Sequence, residues 1–171
     1  MGGAGAQVSI RIYGFAFHYV HNQDEARDLA QDIFVRIYRR LGTFQGNQAF
    51  LPWMLRVARN VCIDHLRRRT TRPPRSDRRV EDGCELADSR RNPQEQTISL
   101  DRRRLIQRAL RRLSRQNREM ILLKDIQGLN LREIADLLAV PLGTVKSRSS
   151  RARVELARTI LGMDPSYGCA P

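Results

Sequence analysis

Lysine is nearly missing from this chain. Of its 31 basic residues only Lys124 and Lys146 are lysines, which leaves 31 − 2 = 29 arginines. Cysteine is sparse too: Cys62, Cys84 and Cys169 lie far apart, no two at metal-ligand spacing. An odd count argues against a disulfide framework and suits a reducing compartment. No apolar run approaches the ~20 residues of a membrane span, which excludes direct membrane insertion. The opening "MGGAGAQVSIRIYGF" lacks the basic flank and long apolar stretch of a secretion signal. These absences together point to the cytoplasm. Strand-like alternation is absent as well. So are a nucleophile elbow, a phosphate loop and a zinc motif. The sequence is therefore expected to be no enzyme, to act on no small-molecule substrate and to need no cofactor. His18, His21 and Asp24 are three residues apart, but a helix break near Asn22 spoils a shared face, so no metal site is expected.

What remains is positive charge and helical periodicity. The formal net charge is +13 over 171 residues. Arginine makes planar, bidentate contacts with phosphate, so its excess suits a polyanionic partner. A nucleic acid, or an acidic protein face, is the partner class implied. The length allows one medium domain or two small ones.

Residues 7–21 read as a short apolar helix with Ile10, Tyr13, Phe17 and Val20 on its stripe. Asn22 begins a second helix, and Glu25 three residues on has the spacing of a capping box. Leu29, Ile33, Ile37 and Leu41 form its apolar stripe. Its acids gather at the start and its arginines at the end, which complements the helix dipole. "GTFQGNQAF" is a loop. The helix after it, "FLPWMLRVARNVCIDHLRRR", places its stripe through Phe50, Met54, Val57, Ala58, Val61 and Leu66. Pro52 is tolerated in the first turn. From Arg67 to about Pro93 prolines and charges replace the apolar pattern, as in a linker unable to bury itself. The expected fold is all-α: two small helical domains, residues 1–69 and 95–163, joined by a flexible linker over 70–94 and followed by a tail at 164–171.

The second domain opens with a stripe of Leu105, Ile106, Ala109, Leu110 and Leu113. Ser114 caps the next helix, and Gly128 ends it. Asn130 and Glu133 give a second capping box before "LREIADLL". After "AVPLG" comes "TVKSRSSRARVELARTIL". Two short helices around a tight turn, the second rich in Lys, Arg, Ser and Thr, read as a helix-turn-helix. Ile134, Ala135, Leu138, Val140 and Val145 hold the pair together. Thr144, Lys146, Ser147, Arg148, Ser150 and Arg151 face outward, towards base edges and phosphates.

"DEARDLAQDIFVRIYRRL", "FLPWMLRVARN" and "LREIADLLAVPLGTVKSRSSRAR", in that order, resemble the extracytoplasmic-function (ECF) sigma factors of bacterial RNA polymerase. The segments "RPPRSD" and "NPQEQ" further resemble the envelope-stress branch. The resemblance implies a first domain like sigma region 2 and a second like region 4. It implies core RNA polymerase and promoter DNA as partners, with an anti-sigma factor as a third. Asp24, Asp28, Gln31, Asp32, Arg36 and Arg39 would meet the polymerase clamp. Phe44, Gly46 and Asn47 of the loop, with Asn60, would capture a base of the minus-10 element. Arg56, Arg59 and Arg67 would track the single strand, and the outward set on the last helix would read the minus-35 element. Trp53 is expected to pack into the core near the loop. Only "MGGAGAQVSIRIYGFAFHYV" stands before the His21–Asn22 break, less than is usual in the family. Ser149 occupies a site where the family has an apolar side chain, a loss of about 1–3 kcal/mol if buried. A stand-alone helix-turn-helix repressor or activator would also explain residues 95–163 and the charge, but it leaves the first domain without a task.

Overall fold

The structure is a computed structural model that describes residues 3–46, 49–71 and 93–168. Of residues 3–4, 71, 93–100 and 168 only the backbone is described. Asn47, Cys84, Cys169 and most of the expected linker lie outside the described residues. The chain forms two compact units, Met1–Cys84 and Glu85–Pro171. Each has its own core, and among the described residues all regular structure is helical.

The first unit holds α1 (Gly3–Val20), α2 (Gln23–Arg40) and α3 (Phe50–Thr71), each packed on the other two. α1 is apolar on several sides, so the sequence alone does not choose its buried face. The unit chooses Ile12, Phe15, Ala16, Phe17 and Val20. Ile10, expected on the stripe, is exposed, and Tyr13 is half-buried. α1 stops because His21 turns left-handed at φ 54°, its N–H still bonded to the Phe17 carbonyl at 2.8 Å. α2 buries Ala26, Leu29, Ala30, Ile33 and Ile37. Leu41 is exposed, because the helix tightens into a 3₁₀ turn over Leu41–Thr43 and its stripe rotates away. α3 buries Met54, Leu55, Val57, Ala58 and Cys62. Leu55 and Cys62 replace Phe50, which is exposed, and Val61 and Leu66, which are half-buried. The true stripe is rotated by about one residue from the one expected.

The second unit is organised around α7 (Leu142–Met163), against which α4 (Pro93–Arg112), α5 (Arg115–Ile121) and α6 (Leu131–Leu138) all pack. Leu105, Ala109, Leu110 and Leu113 are buried as expected, while Ile106 is exposed. Arg118 closes the end of α4: its guanidinium donates to the carbonyls of Leu110, Arg111 and Leu113 at 2.8, 2.7 and 3.1 Å. Burial, then the neighbouring Arg111 charge, lowers the Arg118 pKa. α5 runs into a wide π turn over Leu122–Ile126, in which the Gln127 N–H reaches back five residues to the Leu122 carbonyl at 2.9 Å. Gly128 follows at φ 79°, a conformation glycine adopts without strain.

The π turn meets α7 through Lys124, whose Nζ donates to Ser149 Oγ at 3.3 Å. Ser149 is buried, and this bond accounts for a polar group there. Replacing Ser149 by an apolar residue therefore takes this acceptor away from the Lys124 ammonium. Ser149→Val is expected to destabilise the second unit by about 1–3 kcal/mol. Adding Lys124→Met should recover most of that loss, as urea titrations of the two variants will reveal.

Candidate nucleic-acid interface

α6 and α7 are set by local chemistry. Asn130 Oδ1 accepts the N–H groups of Arg132 and Glu133 at 3.0 and 2.9 Å, and Glu133 Oε2 accepts the Asn130 N–H at 2.8 Å. α6 ends at Ala139, left-handed at φ 54°. Pro141 then starts α7, its carbonyl accepting from Thr144 and Val145. Ile134, Ala135 and Leu137 of α6 and Val145 of α7 are buried, which fixes the angle of the second helix on the first.

With Val145 turned inward, Thr144, Ser147 and Arg151 fall in one row at helical spacing, Ser147 and Arg151 exposed and Thr144 half-buried rather than fully outward. Ser147 Oγ donates to the Thr144 carbonyl at 3.0 Å, and Arg151 Nε donates to the Ser147 carbonyl at 3.4 Å. Lys146 and Ser150 are exposed beside that row, and Arg148 is half-buried on its other flank. Arg158 continues the row beyond Arg151 and is exposed; its sevenfold spacing from Arg151 was the available signal. A cleft between α5 and α7 brings Asn117 together with Ser150, Arg151, Glu155 and Arg158. Glu155 accepts from the Ser114 N–H at 3.1 Å and closely from Asn117 Nδ2, tying α7 to the start of α5. On the opposite flank Arg153 pairs with Asp125. The hydrogen bond to Asp125 and then its charge raise the Arg153 pKa.

In the first unit, Arg56, Asn60 and Arg67 are exposed on one side of α3, and Arg59 is half-buried off that row. Gly46 lies in an exposed turn, and Asn47 is outside the described residues. Phe44 packs on Phe50 and Trp53 with ring centroids 5.4 and 5.1 Å apart, and Phe50 lies 5.6 Å from Trp53. Trp53 is half-buried in this trio rather than sealed in the core, because its partner Phe50 is itself exposed.

Asp24, Asp28, Gln31, Asp32, Arg36 and Arg39 are all exposed along α2. Asp24 pairs with Arg27 at 3.1 Å. Asp32, Arg36 and Arg39 border a cleft whose other wall is Asp64, His65 and Arg68 of α3. Val35 and Tyr38 stand among these charges, Tyr38 81% exposed. The only sign of them in the sequence is their position off the Leu29–Ile33–Ile37 stripe, which turns them outward. Among the described residues no three His, Cys, Asp or Glu side chains are grouped to hold a metal ion, and His18 and His21 stand edge-on to Phe17. Among the same residues no helix is long and apolar enough to cross a membrane.

Residues 6–72, which include most of α1 and all of α2 and α3, match the family model of sigma-70 region 2. Residues 103–156 match that of sigma-70 region 4. The chain is 32% identical over 155 residues to the RNA polymerase sigma-H factor of Pseudomonas aeruginosa, covering 88% of this chain and 80% of that protein. It is 33% identical over 149 residues to the ECF RNA polymerase sigma-E factor of Escherichia coli, covering 84% and 77%. It is 32% identical over 162 residues to the ECF sigma factor SigW of Bacillus subtilis, covering 88% and 83%. The sigma factor RpoE of Bartonella quintana, solved in complex with the anti-sigma factor NepR, shares the fold at a TM-score of 0.72 and 23% identity, over 93% of this chain and 94% of that one. Two units that match regions 2 and 4 in sequence order are the architecture of a sigma-70-type factor. The chain belongs to the extracytoplasmic-function family of RNA polymerase sigma factors.

Proposed function

We propose that this chain binds core RNA polymerase in the cytoplasm and directs it to promoters, where it helps melt the DNA and start transcription. The observation that carries the reading is the pairing, in one chain, of an exposed Arg56–Asn60–Arg67 row with a helix-turn-helix whose second helix carries the row Thr144, Ser147 and Arg151. A repressor acting through the second unit alone has no use for the first.

Each surface has a task in this scheme. The charged face of α2, Asp24 to Arg39, docks on the polymerase, and the exposed Val35 and Tyr38 supply the apolar contact that charges alone give poorly. Thr144, Lys146, Ser147, Arg148, Ser150 and Arg151 read the minus-35 element in the major groove. Phe44, Gly46 and Asn47, with Asn60, capture a base of the minus-10 element, while Arg56, Arg59 and Arg67 hold the strand. Opening the duplex costs a few kcal/mol per unstacked step, and base capture plus strand binding offset it. The chain makes and breaks no bond; core polymerase performs the nucleotidyl transfer. An anti-sigma factor that covers the same faces is the expected regulator.

Run-off transcription with core polymerase, with sequencing of the start sites, tests the whole reading. Initiation at discrete promoters is expected, and neither association nor initiation on any template would overturn it. Within it, Arg151→Ala and Lys146→Ala should each weaken promoter binding by about 1–3 kcal/mol and leave polymerase affinity unchanged, as titrations of holoenzyme on promoter DNA and of the chain on core enzyme will separate.

A further inference from the structure

One buried charge in the first unit has no part in these tasks. Asn22 and Glu25 have capping-box spacing, but only half of the box is made: Asn22 Oδ1 accepts the Glu25 N–H at 2.9 Å. The Glu25 carboxylate turns instead into the seam between α2 and α3, where its side chain is only 7% exposed. There it takes two side chains set one turn apart on α3. His65 Nε2 lies 2.9 Å from Glu25 Oε1, and Arg69 Nη1 donates to Oε2 at 3.1 Å and to Oε1 at 3.3 Å.

The place of this grip matters more than its presence. Among the described side chains of α3, Cys62 is the last that is buried. From Ile63 to Thr70 every side chain is half-buried or exposed. The final two turns therefore gain little from the core, and Glu25 provides a second anchor for them. His65 and Arg69, four residues apart, share the face turned to α2. Arg67 is two residues from each, on the opposite side, in the same row as Arg56 and Asn60. Holding one face of a helix sets the rotation of the other.

We infer that Glu25 is a positioning residue for the strand-binding face of α3: by clasping His65 and Arg69 it keeps Arg67 in line with Arg56 and Asn60. α2 then serves two surfaces, its outer face meeting the polymerase and its inner carboxylate bracing the helix that meets DNA. The inference rests on the reading of that α3 face as the one that meets the melted strand.

The test uses holoenzyme assembled from core polymerase and the full chain, with 2-aminopurine in the minus-10 element reporting opening. Glu25→Gln keeps the size of the side chain and removes its charge. It should slow opening about five- to tenfold in the wild-type background and add nothing to Arg67→Ala, the coupling expected of residues that act through one another. Arg69 is half exposed, so Arg69→Gln breaks the same clasp without loading the core, and it should slow opening to the same degree. Affinity for core polymerase should hold in both variants. Additive effects of Glu25→Gln and Arg67→Ala, a silent Arg69→Gln, or a loss of core affinity in step with opening would each overturn the inference. An Arg67→Ala that opens promoters normally would overturn the strand-binding reading of Arg67, and the inference with it.

Discussion

Phe15→Ala is expected to strip the first unit of much of its stability and to leave that of the second unchanged. Phe15 is fully buried in α1, with Tyr19 packed at a centroid distance of 5.2 Å. Truncating such a ring costs about 3–5 kcal/mol, the transfer term plus the cavity left behind. A unit of roughly 70 residues has a total stability of only about 4–10 kcal/mol, so the substitution removes a large share of it. The chain itself provides the reporter. Trp53 is its single tryptophan and lies in α3, so fluorescence follows the first unit alone. Far-UV circular dichroism also sees α4 to α7. The expected result is a Trp53 transition that falls by tens of degrees, at about 4–8 °C per kcal/mol for a domain of this size, with the helical signal of the second unit melting where it did before. Two transitions that move together would mean that the separate cores do not act separately. In transcription the variant should fail at the first step, since α2, which carries the proposed polymerase-docking face on its outer side, packs against α1.

The parts of this molecule legible in its sequence are those decided within a few residues. The Asn130–Glu133 capping box, the Ser114 cap, the Gly128 turn and the α6–turn–α7 unit all depend on local spacing, and all stand where the residues place them. Contacts closed over long loops were not legible. Glu25 has the spacing of a local cap, yet its carboxylate binds His65 and Arg69, forty and forty-four residues on. Ser149 reads in the sequence as a packing defect, and only the π turn brings Lys124 to it. That turn carries no signature in the sequence, because no proline or glycine stands within Leu122–Ile126 to mark it. The buried faces of α1 and α3 were misplaced for a related reason. A helix with apolar residues on several sides buries the side its neighbours present, and one residue of rotation exchanges Phe50 and Leu66 for Leu55 and Cys62. The candidate interface was easier to read, since Lys146, Ser147, Ser150, Arg151, Asn60 and Arg56 are polar residues a core has no use for and all are exposed. Val35 and Tyr38 were missed because an apolar residue is assumed to point inward until a structure turns it out.

Asn60→Ala is expected to cripple promoter opening while leaving polymerase binding intact. Asn60 is exposed on α3, in the row between Arg56 and Arg67, on the helix whose first turns carry Phe50 and Trp53. It supports no part of the core, so its loss leaves the fold standing. An amide at that position can pair with the edge of an extruded base, and base contacts of this kind are worth about 1–3 kcal/mol each. Because duplex opening is itself a balance of a few kcal/mol per step, removing one such contact should reduce the rate of open-complex formation about 5- to 150-fold. Arg151→Ala has a different signature: it weakens closed-complex binding to duplex DNA, and a stronger minus-35 element compensates for it. The Asn60→Ala defect should persist on any duplex, however strong its minus-35 element. It should vanish when the captured base is missing. On a template with an abasic nucleotide at each minus-10 position in turn, one position should bring wild type and Asn60→Ala to the same low rate, and that position identifies the base Asn60 holds. Equal defects at every abasic position would place Asn60 on the backbone instead of on a base.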